Sequence, residues 1–340
     1  MAYISPRGDT TGKYGRASHR VNLRVSGQNT FYTVGPLAGV GIVCTISGRY
    51  HFDLGSTGAA TWVDFYSKTQ AEIETNLTDV FLPDAPTVST STTGVIVIDL
   101  ETVGQGGVEG HFSHPNHLWQ ETDSDKALII TAWKRRIAAT RAVFPNARIG
   151  MYALPRAGNL GDEDIQAGDG NWSDRIDTLV QAGTATGYNG VGGAYDGLDL
   201  LIPITYQIWG PNDTAQRWGA TKARVIQAME GAKRIKKSDG SSIPAMPFMS
   251  TCVFGSASND DGVLMADLDT DDPIGETWGV HLDVFREYGI NEVCIWNGIN
   301  EVFARDGVGA TTTTLSSMVR EAKVHIAPVS VGHRKPNPIE

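Results

Sequence analysis

The chain is poor in cysteine, has no long apolar run, carries no surplus of positive charge and lacks a nucleotide-binding glycine pattern. Its three cysteines, Cys44, Cys252 and Cys294, lie in apolar, strand-like runs (GIVCTI, MSTCVF and EVCIWN). An odd count without short spacings argues against a disulfide framework or a zinc site, so buried free thiols are expected. The longest apolar stretches run to about eight residues, whereas a bilayer span takes ~20. No membrane segment is therefore expected. The opening MAYISPRGDTTGKYGR has no apolar h-region, so no signal peptide is expected. Lys plus Arg number 28 and Asp plus Glu 38, so the net charge is 28 − 38 = −10. That sign argues against nucleic acid, which needs a basic face, and mildly against any polyanionic substrate. The glycines of GQGGVEG and GYNGVGGAYDG do not stand between a strand and a helix, so no dinucleotide fold is read and no cofactor is expected. GSASN does not form a nucleophile elbow.

What the chain does have is a globular composition, 41% hydrophobic and 19% charged over 340 residues, which is enough to bury a full core. Residues 1–30 are polar and carry Arg7, Lys13, Arg16, Arg20 and Arg24 with few acids, and they read as an N-terminal arm. VGIVCTI (40–46) is the first strand signal, and TWVDFYS (61–67) is a weaker second one followed by the helix-like KTQAEIETNLTDVF. From residue 93 strands and helices alternate. TGVIVIDLE (93–101), ARIGMYALP (147–155), LDLLIPITYQIW (198–209), IPAMPFMSTCVF (243–254) and INEVCIWNG (290–298) read as strands. Helices are expected over 126–144, 174–183, 214–235, 275–289 and 314–325. Alternation of this kind means parallel strands joined by crossover helices. An open doubly wound sheet and a closed barrel both fit. Chain length and the polar and aromatic residues at strand ends favour a single-domain (β/α)8 TIM-like barrel over 31–330, with a tail over 331–340.

The strand ends carry the candidate chemistry. Asp99 and Glu101 close VIVID-L-E, and strand residues two apart point to the same side. Two carboxylates sharing a partly dry site do not ionise together, which leaves one as a protonated acid at neutral pH. Cleavage of a glycosidic bond needs such an acid and a group that stabilises the cation-like transition state. Tyr152, Tyr206, Gln207, Trp296 and Asn297 end three other strands. Aromatic faces stack on sugar rings, and phenol and amide groups bond hydroxyls. His111, His114 and His117 share a loop interrupted by Pro115, which does not stack ligands as a helix does, and no metal site is read there. The acidic loop 266–276 departs from the EF-hand pattern.

Taken in order, these segments resemble the animal and venom hyaluronidases, glycoside hydrolase family 56. TGVIVIDLE resembles that family's strand ending Asp-Trp-Glu, RIGMYALP its Trp-Gly-Tyr-Tyr-x-Phe-Pro segment, and LLIPITYQ its Tyr-Pro-Ser-Ile-Tyr strand. ATKARVIQAMEGAKRI and GETWGVHLDVFREYGINEVCIWNG follow where its Arg-Val-Arg-Glu-Ala helix and its Gly-Glu-Thr to Ile-Trp-Gly stretch would. The resemblance implies a barrel glycosidase in which Glu101 is the general acid/base, Asp99 and Tyr206 hold the substrate acetamido group, and Trp296 floors its pocket. It also implies that the substrate's own acetamido oxygen is the nucleophile, so that no second protein nucleophile is needed. The chain departs from the pattern at Leu100, where the family has tryptophan, and at Arg156-Ala157-Gly158-Asn159, where a family tyrosine is absent. The family's disulfides have no counterpart.

The expectation is thus an endo-acting, retaining glycosidase with a polysaccharide as partner. The alternatives are a carbohydrate- or receptor-binding barrel, attached through the basic N-terminal arm to a larger assembly such as a phage tail or virion, and a glycosidase of another retaining or inverting type.

Overall fold

A computed structural model describes residues 22–28, 41–46, 66–85, 88–100, 115–156, 170–206, 221–249, 277–290 and 292–296. Among these residues seven parallel strands close into a barrel in sequence order: β1 (Asn22–Gln28), β2 (Gly41–Ile46), β3 (Val95–Ile98), β4 (Arg148–Arg156), β5 (Leu200–Ile204), β6 (Phe248–Met249) and β7 (Glu292–Trp296). β1 closes the ring, pairing Arg24 with Gly41 of β2 and with Cys294 of β7.

Three expectations change here. Eight strands were expected. Each of the seven described strands already has a neighbour on both edges, so the described ring has no open edge for an eighth. The polar arm was expected to run to residue 30, yet Asn22–Gln28 is a barrel strand. Four of its seven residues are polar, which masked an alternation in which Leu23 and Val25 stand between them. Tyr66 and Ser67, placed in a weak strand by the sequence, are helical.

Among the described residues five α-helices are longer than one turn: α1 (Gln70–Asn76), α2 (Asp123–Val143), α3 (Gly170–Gly183), α4 (Thr221–Arg234) and α5 (Thr277–Glu287). α1 starts at a capping box: the Glu72 amide donates to Thr69 Oγ1 at 3.3 Å, and the Thr69 amide donates to Glu72 Oε2 at 2.7 Å. The Thr69 amide and the Thr69 hydroxyl, which also donates to Glu72 Oε2 at 2.7 Å, hold the Glu72 carboxyl below its ordinary range. α1 then runs on through a π turn, Leu77–Phe81. α2 is capped by Thr122, which accepts from the Asp125 amide, and two aspartates in its first turn suit the helix dipole. It stops at Phe144, before Pro145. α2 packs on β3 and β4, α4 on β4 and β5, and α5 on α4.

The strands divide the core in two. Val95, Val97, Leu200, Ile202, Ile204, Met246 and Phe248 fill the inside of the barrel. Ile96, Ile98, Ile149, Met151 and Leu201 face outward, onto Trp133, Ile137 and Phe144. Both faces of β3 are buried, which explains why VIVI is apolar at every position rather than at alternate ones. The interior is tight at Gly150, where a Cβ would stand 2.8 Å from Ile202 Cδ1 and would force the Ile202 side chain to shift. Truncating Ile137, which is 3% exposed, to alanine is expected to cost about 2–5 kcal/mol.

Candidate active site

In a β/α barrel each strand runs to one shared end, the mouth, and the helix that follows starts there. The interior parity of β3 is Val95, Val97, and then Asp99. Asp99 follows directly after the strand. Its amide still donates to Ile46 O at 3.0 Å, so the ladder with β2 carries it in register to the mouth. Its side chain is half-buried. Leu100 has the opposite parity and is 2% exposed in the outer core. The position where the hyaluronidase pattern has tryptophan therefore faces the helices, not the barrel interior.

Tyr152 of β4 and Tyr206, two residues beyond β5, also belong to the interior set, each 6% exposed. Their ring centroids are 6.4 Å apart at 39°, and Phe248 meets Tyr152 edge-on at 5.9 Å. Buried aromatic pairs of this kind fix one another's rotamers. Just past Tyr152 the register with β5 shifts, and Ala153 has φ +59°, in the left-handed region that non-glycine residues seldom occupy. The ladder resumes at Arg156 with Ile204.

The sequence candidates thus divide. Tyr152 and Tyr206 stand together, and Asp99 shares their interior parity at the same end. Trp296 is the last residue of β7 and so ends at the mouth. Glu101, Gln207 and Asn297 lie outside the described residues, as do His111, His114, the acidic loop 266–276 and Cys252. His117 falls in a 3-10 turn, Pro115–Gln120. Among the described residues there is no cluster of three or more His, Cys, Asp or Glu able to hold a metal, and no helix long and apolar enough to cross a membrane. Cys44 and Cys294 are buried free thiols, and burial pushes the Cys44 thiol up to about 12.

Two groups near the mouth were not read from the sequence. Trp119, in the 3-10 turn before α2, carries the Arg175 guanidinium 5.1 Å over its ring, and Arg175 lies in the second turn of α3. Both elements are helix beginnings and so stand at the mouth end. The second group is Thr205, Arg224 and His281, behind Tyr206. The signal for it was a histidine and an arginine within amphipathic helices, at positions that turn out 1% and 4% exposed.

The opposite end has a cleft of about 490 Å³, lined by residues including Met229, Ile243, Pro244 and Ile290. Its polar groups bind one another: Arg148 Nη1 meets Glu292 Oε2 at 2.5 Å, Lys236 Nζ donates to Ser242 Oγ at 2.7 Å, and the Tyr288 hydroxyl donates to Glu230. Such pairing is what a stabilising floor requires.

No family profile matches the chain, and no curated protein matches it. Among solved structures, the chain is similar to bee venom hyaluronidase in a monoclinic crystal form, with 14% identity and a TM-score of 0.45, over 82% of this chain and 83% of that one. It is also similar to bee venom hyaluronidase in complex with a hyaluronic acid tetramer, with 15% identity and a TM-score of 0.43, over 76% of this chain and 78% of that one. At these scores the likeness carries no argument about what this chain does.

Proposed function

We propose that the chain is a glycoside hydrolase that cleaves a polysaccharide at N-acetylated amino sugars, with retention of configuration. The observation that carries this reading is that Asp99 and Tyr206 continue the interior parity of β3 and β5 past their strand ends, with Tyr152 of β4 in the same interior set. In sequence, Glu101 stands two residues beyond Asp99, at the i+2 position that shares a face along an extended chain.

In this reading Glu101 gives its proton to the glycosidic oxygen as the C1–O bond breaks. The carbonyl oxygen of the substrate's acetamido group attacks C1 from the opposite face and forms a cyclic oxazolinium. Asp99 accepts the acetamido N–H, which orients the carbonyl and offsets the positive charge that develops on the ring. The Tyr206 hydroxyl donates to the same group, and Trp296 closes the pocket behind the methyl. Water then opens the oxazolinium at C1 and gives its proton to Glu101, which restores the acid. Two inversions give net retention. The scheme departs from the two-carboxylate pattern in that the nucleophile belongs to the substrate. Tyr152, Gln207 and Asn297 are further substrate contacts. The acid step requires Glu101 to be protonated when substrate binds.

The test is to compare N-acetylated and de-N-acetylated chito-oligosaccharides and to follow the anomeric protons of the first product by NMR. The reading predicts cleavage of the acetylated oligosaccharide alone, with the starting anomer preserved. Efficient cleavage of the deacetylated one, or an inverted product, would contradict it. Binding without cleavage, unaffected by Glu101→Gln, would put the carbohydrate-binding barrel in its place.

A further inference from the structure

β5 leaves the sheet after Ile204, which pairs with Phe248 of β6 on one side and Arg156 of β4 on the other. The next two residues, Thr205 and Tyr206, carry the chain out over the mouth. Both donors of Thr205 turn to one acceptor: its amide and its hydroxyl donate to Phe248 O at 2.8 and 2.9 Å. The carbonyls at this strand end face the surrounding helices. His281, in the second turn of α5 and 1% exposed, brings Nε2 to 2.8 Å from Thr205 O. A carbonyl only accepts, so Nε2 holds the proton in this bond. Arg224, in the first turn of α4 and 4% exposed, donates from Nη1 to Tyr206 O at 3.3 Å. The His281 ring is itself held edge-on by Phe285, one helical turn later, at 6.3 Å.

Two successive backbone carbonyls at a strand end are thus taken by side chains from two different helices. Buried carbonyls need partners, and past the last bond of the β5–β6 ladder, from the Thr205 amide, they are met by helix side chains instead. Few side chains donate over that reach. Histidine, with one rigid ring, and arginine, with its planar fork, do so with less rotational freedom than lysine.

We propose that His281 and Arg224 are positioning residues: from α5 and α4 they clamp the Thr205 and Tyr206 carbonyls and so fix where the Tyr206 ring stands at the mouth. Neither touches the substrate. The proposal rests on the reading that Tyr206 is a substrate contact, but the clamp itself is measurable without substrate.

Two readouts separate it from a merely structural role. The first is hydrogen exchange of the amides over 200–206 in the free protein, in wild type, His281→Leu, His281→Gln and Arg224→Met. Leucine fills the histidine space without a donor, whereas the glutamine amide reaches the same carbonyl. Exchange over 204–206 is expected to rise in His281→Leu and Arg224→Met, and to stay near wild type in His281→Gln. Equal exchange in wild type and His281→Leu, or no rescue by glutamine, would overturn the clamp. If His281→Leu does not fold, Arg224→Met tests the same point alone.

The second readout is kinetic, on acetylated chito-oligosaccharide. A misplaced tyrosine that acts on the transition state lowers kcat and leaves KM near its wild-type value, here by about 10-fold in His281→Leu. A change in KM alone would contradict the positioning of a reacting group. If wild type cleaves nothing, the glycosidase reading fails, while the exchange result still decides the clamp.

Discussion

At the floor of the barrel, Asp199 takes the guanidinium of Arg141 and the amide of Ile149, and Arg148 pairs with Glu292. At the mouth, Asp99 stands half-buried beyond its strand, with two buried tyrosines on the same interior parity. Both ends bring carboxylates close to the apolar inside of one barrel, but they use them differently. The floor closes its polar groups on each other. Arg141 also donates to Ala147 O at 2.6 Å, so the carboxylate and the cation each have more than one partner. The mouth holds its backbone with helix side chains, His281 and Arg224, and keeps strand-end side chains directed inward. In β/α barrels the loops at one end vary while the other end ties strands together, and the proposed function would put the chemistry at the varying end.

Exchanging one aspartate at each end would break that comparison most directly. Asp99→Asn keeps size and an acceptor but loses the charge that, in the proposed mechanism, offsets the oxazolinium. Catalysis, read as kcat/KM on the acetylated substrate, is expected to fall by about 10²-fold with the melting temperature unchanged. Asp199→Ala should do the reverse. It leaves the Arg141 guanidinium and the Ile149 amide short of an acceptor, at a cost of about 1–2 kcal/mol given the partial exposure of the pair. A lower Tm with unchanged turnover per folded molecule is the expected result. Loss of activity in Asp199→Ala at unchanged Tm would remove the distinction between the ends.

Arg148→Met should have a smaller effect. The Arg148 side chain is 38% exposed, and pairs of that kind contribute about 0–1 kcal/mol, read as a small loss in denaturant midpoint that added salt mimics.

Only alkaline pH should expose the smallest effect. Desolvation, with the hydrogen bond to Glu230, raises the Tyr288 hydroxyl from 10.0 to about 12. Its folded value lies above its unfolded one, so the contribution is complete below pH 10 and is lost as pH rises toward 12. Tyrosinate absorbance should show one group titrating late, absent in Tyr288→Phe.

Much of the mouth was legible in the sequence because strand chemistry is local. VIVI followed by Asp-Leu-Glu announces a doubly buried strand with carboxylates at its end, and Val95–Ile98 is that strand. α2 was expected over 126–144 and spans Asp123–Val143, its start moved by the Thr122 cap. β1 was not legible, because Asn22, Arg24, Ser26 and Gln28 outnumber the apolar residues between them. Neither was the strand count, since ring closure depends on which edges meet rather than on any one segment. The floor was the least legible part: Arg148 and Glu292 are 144 positions apart, and nothing in either neighbourhood points to the other. The clamp on β5 was hidden for the same reason, with His281 standing 76 positions from the carbonyl it holds.

The central claim is that the mouth is a catalytic site with Glu101 as its acid. Release of reducing ends from chitin, hyaluronan, chondroitin, peptidoglycan and neutral exopolysaccharides, by wild type beside Glu101→Gln, tests it most directly. The account predicts release from an N-acetylated polysaccharide that falls by about 10³-fold in Glu101→Gln, as loss of a general acid should. Equal release by the two proteins, or none by wild type on any of them, would contradict it.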